Sequence, residues 1–176
     1  MNPVTFFVPG RPIPKGSAVG FKHRHSGKVI VRQHNADSLY AWEERIYSEA
    51  FIQLGAPLAG PVRVDAQFIL ARPKNHYHPN GTLRMLADPW PKVRPDVDKL
   101  YRAVLDGLSG VAYRDDAQVI GGLAWKRYAL PNEREGVVLR VEKLVAPHDW
   151  YSCGEAWTGS PEMESEELSV GTANEP

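Results

Sequence analysis

The 176-residue sequence predicts an α+β domain in which two main helices pack on a small mixed β-sheet. Three observations carry this expectation. Two segments, ending near residues 54 and 108, repeat apolar residues at helical spacing. Two others, starting at Val62 and Val137, alternate apolar and polar residues in the manner of strands. Their order along the chain is strand, helix, strand, helix, strand, strand, which suits one mixed sheet.

Val4-Thr-Phe-Phe-Val-Pro reads as a short strand ended by Pro9-Gly10. Residues 10–32 follow as a loop or ribbon with Arg11, Lys15, Lys22, Arg24, Lys28 and Arg32 and no acid. Asn35 or Asp37 can then cap a helix on which Leu39, Trp42, Ile46, Ala50 and Leu54 share a face, before Gly55 and Pro57 stop it. Val62, Val64, Ala66, Phe68 and Leu70 mark a half-buried strand. Residues 72–95 form a long loop rich in proline and histidine, and loops of that length in compact domains are usually functional. Val97, Leu100, Tyr101, Val104, Leu105 and Leu108 make one continuous helical face, with Asp96 placed as its N-cap. A strand over Val119 to Tyr128, a turn at Pro131-Asn132 and a last strand through Val137, Leu139 and Val141 complete the domain.

The zero net charge hides an asymmetry. All 21 lysines and arginines lie in residues 1–146 beside 14 acids, whereas residues 147–176 carry seven acids and no lysine or arginine. A basic body (1–146) with an acidic, low-hydrophobicity tail (147–176) suggests a nucleic-acid partner and a disordered tail, although an ordinary solvated surface has the same composition. One cysteine, Cys153, leaves no intramolecular disulfide and no cysteine-rich zinc site. The N-terminus lacks the layout of a signal peptide and no apolar run approaches a membrane span, so a cytoplasmic protein without membrane partners is expected.

The residues with chemical interest are carboxylates. Asp96 and Asp98 bracket the first turn of the second helix. Two residues apart on a helix means about 200° around its axis, but a cap residue can turn its carboxylate back over the helix end, so both could meet one cation. Magnesium takes hard oxygen ligands, often one or two carboxylates with water and phosphate. Asp115 or Asp116 could add a third. The same residues have ordinary structural uses, since aspartate favours helix N-termini and Asp-Asp often marks a turn. An Asp-x-Asp also occurs in glycosyltransferases, for whose sugar-nucleotide domain this chain has little room. Asp98, Arg102 and Asp106 share one stripe, which fits either a solvated face or a phosphate-binding Arg102 beside a metal. His23-x-His25 and His76-x-His78 read as surface histidines rather than zinc ligands, lacking regular ligand spacing.

Arg94-Pro-Asp-Val-Asp-Lys-Leu-Tyr-Arg-Ala-Val-Leu-Asp-Gly-Leu, followed by Gly110-Val-Ala-Tyr-Arg-Asp-Asp-Ala-Gln-Val, resembles the signature of the RusA family of Holliday-junction resolvases. Val8-Pro-Gly-Arg-Pro-Ile-Pro-Lys-Gly and Ala71-Arg-Pro-Lys-Asn-His-Tyr also resemble the form of the family common in phages. The resemblance implies a RusA-like homodimer that nicks opposed strands of a four-way DNA junction and leaves ligatable ends. It implies Mg²⁺ as cofactor, with Mn²⁺ an acceptable substitute, and no small-molecule cofactor. Carried over by position, it makes Asp96, Asp98 and Asp116 the metal-binding catalytic carboxylates, with Asp115 adjacent. Lys99 stands where the family carries asparagine, and Arg102 where it carries lysine. Guanidinium stays protonated, so Arg102 can neutralise phosphate charge but cannot give up a proton. Lys126 matches a lysine often found on the next strand and is the second cationic candidate. DNA contacts are expected from Arg11, Lys15, Lys22, Arg24, Lys28, Arg72, Lys74, Arg84, Arg94 and Lys99; Tyr77, Trp90 or Tyr113 could stack on unpaired bases, but core packing is the commoner use of such aromatics. A general flap endonuclease and a non-catalytic DNA-binding accessory protein are the rival readings.

Overall fold

The computed structural model describes residues 2–16, 18–22, 29–33 and 35–145. The first strand, β1 (Val4–Pro9), is followed by an antiparallel two-stranded ribbon, β2 (Ala18–Lys22) and β3 (Val29–Gln33). Helix α1 (Ala36–Leu54) ends at Gly55, whose φ of 72° and N–H bond to the Phe51 carbonyl close the last turn in a conformation that suits glycine. Then come β4 (Val62–Leu70), the long loop, α2 (Val97–Leu108), β5 (Val119–Gly121), β6 (Ala124–Tyr128) and β7 (Gly136–Lys143).

The main sheet is mixed, as expected. β7 lies between β1 and β4 and is antiparallel to both, while β5 and β6 run parallel to β4 along its other edge. Register sets the faces. Leu139 stands opposite Phe6 on one side and Ala66 on the other, so Phe6, Leu139 and Ala66 point into the same layer. Leu39, Trp42, Ile46 and Ala50 of α1 and Leu100, Ala103, Val104 and Leu108 of α2 join them in one buried cluster. Each large side chain buried there contributes about 1.5–3 kcal/mol. The helices meet where Gly107 lets α2 approach Ile46 and the Glu43 carbonyl.

The expected strand from Val119 to Tyr128 is broken in two. At Gly122 a Cβ would stand 1.8 Å from the Val64 carbonyl oxygen and 2.5 Å from the Tyr101 hydroxyl, so only glycine lets the chain pass this close to β4. The Leu123 N–H turns instead to the carboxylate of Asp65, at 2.9 Å. Asp65 is the buried charged side chain among the described residues. Burial pushes its carboxyl up, but hydrogen bonds from Arg63, the Leu123 N–H and Arg140 outweigh that and hold it below the usual range.

Tyr113 is not available for stacking on bases. It is fully buried, and its hydroxyl donates to the Leu105 carbonyl at 2.8 Å, closing the end of α2. His23, His25, Arg24, Lys28 and the acidic segment 147–176 lie outside the described residues, as does the side chain of Lys22. Among the described residues no helix is long and apolar enough to cross a membrane.

Candidate active site

α2 starts where Pro95 hands over to Asp96, whose extended dihedrals (φ −72°, ψ 138°) are those of a cap. The Asp96 carboxylate, however, makes no capping hydrogen bond. It pairs with the Lys99 ammonium one turn further on, at 3.0 Å. That hydrogen bond and its charge hold the Asp96 carboxyl below the usual carboxylate range, with Arg94 and Lys126 adding to the effect. Asp98, in the first turn, is exposed and has no hydrogen bond or ion pair among the described residues.

Lys126 enters the same place from the sheet. Its Nζ donates to the carbonyls of Val93 and Pro95, both at 2.8 Å, which fixes the cation against the segment that leads into α2. β6 supplies it because Lys126 lies on the strand register between Ala124 and Tyr128, on the same face as both. Arg102, one turn beyond Asp98, is exposed and unpaired among the described residues. Asp106 is not its partner: it pairs with Lys15, which also donates its backbone N–H to the Lys99 carbonyl and so pins residues 11–16 along α2.

The two neighbouring aspartates before β5 have different uses. Asp115 caps a single-turn 3-10 helix, accepting from the Ala117 N–H at 2.8 Å, while Gln118 reaches back to the Asp115 N–H. Gln118 also donates to the carbonyls of Leu58 and Gly60. Asp116 is exposed and makes no such bond. The turn-forming role open to either aspartate falls to Asp115.

Among the described residues, no three Asp, Glu, His or Cys side chains stand close enough to hold one metal ion. Asp96 and Asp98 are joined by the start of one helix, and Asp116 is not drawn into a formed cluster with them. The donor set nevertheless suits a hard cation: Asp98 and Asp116 offer unpartnered, solvent-facing carboxylates, and Asp96 is held by nothing stronger than an exposed ion pair.

A groove of about 940 Å³ runs beside Asp96. Residues 11–16 line it, as do Pro91, Val93, Arg94 and Pro95. Arg11, Lys15, Arg94 and Lys99 line it, so four of the expected DNA contacts converge on one channel next to an expected catalytic aspartate. Arg72 braces the long loop instead, donating to the Asp88 carbonyl at 3.1 Å and lying 4.9 Å over the Tyr128 ring. Arg84 donates to the Tyr77 carbonyl, and Lys74 is exposed. His76 packs edge-on against Tyr128, so that histidine is part of the loop's packing.

Sequence reasoning missed the contribution of Asn35 and Tyr128 to the groove. Asn35 donates to the Pro14 carbonyl and ties α1 to the groove wall, a contact between segments 21 residues apart that no local pattern announces. Tyr128 carried only a strand signal.

Residues 9–142 match the family model described as endodeoxyribonuclease RusA. No curated protein matches the chain.

Proposed function

Because the chain belongs to the RusA endodeoxyribonuclease family, a family of metal-dependent Holliday-junction resolvases, we propose that it cuts four-way DNA junctions by Mg²⁺-dependent paired phosphodiester hydrolysis. The observation that supports this reading is Lys126, fixed on the carbonyls of Val93 and Pro95 immediately before Asp96, where α2 begins beside a groove lined with cations. We place the catalytic unit in residues 1–146, acting as a homodimer in the cytoplasm of a bacterial host or phage-infected cell. Residues 147–176 are a solubilising acidic tail.

In this reading Asp96, Asp98 and Asp116 hold the ion, and Asp115, with Oδ1 committed to Ala117, has only Oδ2 to offer. Mg²⁺, with Mn²⁺ able to substitute, supplies a more acidic water and neutralises charge on the phosphate. The protein's own part is to bring the DNA backbone to that point and to stabilise the charge that develops there. Arg11, Lys15, Arg94 and Lys99 would receive phosphates along the groove, with Lys22, Arg24, Lys28 and Lys74 extending the contacts outward, while Arg72 and Arg84 brace the loop. Arg102 stays protonated throughout and supports the scissile phosphate as a fixed cation. Lys126, oriented by two carbonyls, has one remaining donor direction for the same phosphate. Lys99, which pairs with Asp96, would be free to turn to DNA where Asp96 held the ion instead.

The deciding experiment is cleavage of a labelled synthetic four-way junction, beside linear duplex and flap substrates, with Mg²⁺ and with EDTA. Paired nicks in the junction, abolished by EDTA and by Asp98→Asn while binding persists, are expected. Equal cutting of flaps would establish a general branched-DNA nuclease, and retained cleavage by Asp98→Asn would overturn the site assignment.

A further inference from the structure

The long loop between β4 and α2 ends in an apolar tip. Ala87 donates its N–H to the Arg84 carbonyl at 3.0 Å, closing a β-turn with Met85 and Leu86 at its centre. Their side chains are 96% and 94% exposed, the most exposed large apolar residues among those described. Turn centres ordinarily carry Gly, Pro, Asn, Asp or Ser, which have local reasons to be there. Met and Leu have none, and both forgo the burial that normally places such residues inside.

The tip is held in place. Arg84 is bound at both ends, its N–H to the His76 carbonyl at 2.9 Å and its side chain to the Tyr77 carbonyl at 3.1 Å. Beyond the turn, the Asp88 carbonyl accepts from Arg72, and its carboxylate accepts from the Trp90 N–H and the Lys92 ammonium. The turn therefore presents its two side chains from a braced base.

The chemistry around the tip selects the partner. Residues 72–95 contain five lysines and arginines and a single acid, Asp88, which Lys92 neutralises. That balance suits a polyanionic partner, and the family's DNA substrate class makes nucleic acid the polyanion at hand. The same loop supplies Pro73, Pro91, Val93 and Arg94 to the groove beside Asp96, so the tip and one part of the groove are carried by a single loop. Apolar side chains, Leu and Met among them, enter nucleic acid as wedges between base steps, flanked by cations on the phosphates. Unstacking is easiest where stacking is already interrupted.

We infer that Met85 and Leu86 form a wedge that inserts at the branch point of the DNA and unstacks the bases there. The inference deepens the proposed function and rests on it, since the wedge has a target only if the substrate is branched. It makes the loop a specificity element: the cations of the groove bind any duplex, and the wedge favours the branch.

The test uses the full chain in EDTA, a four-way junction carrying 2-aminopurine at the branch, and a linear duplex of the same sequence. The unaltered protein should raise 2-aminopurine fluorescence severalfold on the junction. Met85→Ala/Leu86→Ala should abolish that rise and weaken junction binding about tenfold, with duplex affinity unchanged within about twofold. The swap Met85→Leu/Leu86→Met should keep both signals. A rise that the alanine pair retains, no rise with the unaltered chain, or equal weakening on junction and duplex would overturn the wedge. So would a change in sedimentation or in binding to anionic vesicles as the main effect of the alanine pair. Cleavage in Mg²⁺ reports separately on the proposed function. An unaltered chain that cuts junctions while the alanine pair still unstacks them leaves the nuclease reading intact and removes the wedge.

Discussion

Lys99 holds the carboxylate of Asp96 at 3.0 Å, one helical turn from the residue it neutralises. The pair couples a family departure, lysine in place of asparagine, to the aspartate that opens the candidate site. An ammonium and a divalent ion compete for the same oxygens. Lys99→Asn should therefore lower the Mg²⁺ concentration for half-maximal cleavage about twofold to fivefold, the modest effect expected of an exposed pair. A Mg²⁺ titration of junction cleavage checks it, and an unchanged midpoint would mean the pair opens without cost.

Arg102 is exposed and free of partners among the described residues, so removing it should leave the fold alone. Arg102→Ala is expected to stay within about 0.5 kcal/mol of the original stability while cleavage falls about 10²-fold or more. Arg102→Lys should recover most of the activity if the group acts only as a cation. Single-turnover rates, with urea unfolding in parallel, separate these outcomes.

The groove cations should reveal themselves through salt. Arg11→Ala and Arg94→Ala are each expected to reduce the slope of log affinity against log salt by about 1, with similar effects on different DNA sequences. Fluorescence anisotropy across a salt series measures the slope. Arg72→Ala should instead lower stability, because Arg72 braces the loop through Asp88 and Tyr128.

Acid sensitivity has a source outside the carboxylates of the candidate site. Arg127 grips Glu133 through two bonds of 2.6 Å, and with the Leu130 N–H it holds the Glu133 carboxyl down at about 2. A carboxyl depressed in the folded state stabilises above its unfolded value and loses that stabilisation as pH falls through the folded one. Glu133→Gln should cost about 1 kcal/mol at pH 7 and progressively less between about pH 4.5 and pH 2. Urea midpoints across that window give the answer.

Gly122→Ala should be among the most damaging single-methyl changes. Its Cβ has no room against the Val64 carbonyl, and relief requires moving the central strand of the sheet. A loss of about 3 kcal/mol is expected, read from urea unfolding. A stable variant would show that the β5–β6 break can shift.

The extent of the secondary structure was readable because it follows from local spacing. α2 runs over Val97–Leu108, where its apolar residues recur, and β4 over Val62–Leu70, where they alternate. What escaped was set by contacts between distant segments. The strand from Val119 breaks at Gly122 because of backbone on β4, which nothing near Gly122 in sequence announces. The choice between core and stacking for Tyr113 rests on the Leu105 carbonyl, which takes its hydroxyl. At the candidate site, the spacing singled out Asp96, Asp98 and the aspartate pair at 115–116. The division of labour within that pair depended on Gln118, three residues from Asp115, and on the carbonyls of Leu58 and Gly60 that hold it. Lys15 was expected on phosphates, and its pairing with Asp106 depends on how residues 11–16 fold back along α2.

The pairing of β1 with β7 has a consequence for how the protein is made. Of the described strands β1 leaves the ribosome earliest, and its place in the main sheet is beside the latest of them, with Val4 opposite Val141 and Pro9 opposite Gly136. At ordinary rates of synthesis the interval is about ten seconds. Throughout it the apolar segment Val4–Pro9 is a strand without its neighbour, open to pairing with other nascent chains. Pro3 and Pro9 bracket it, and proline cannot extend a ladder of backbone bonds. The two prolines confine an orphan strand to six residues until its own partner arrives.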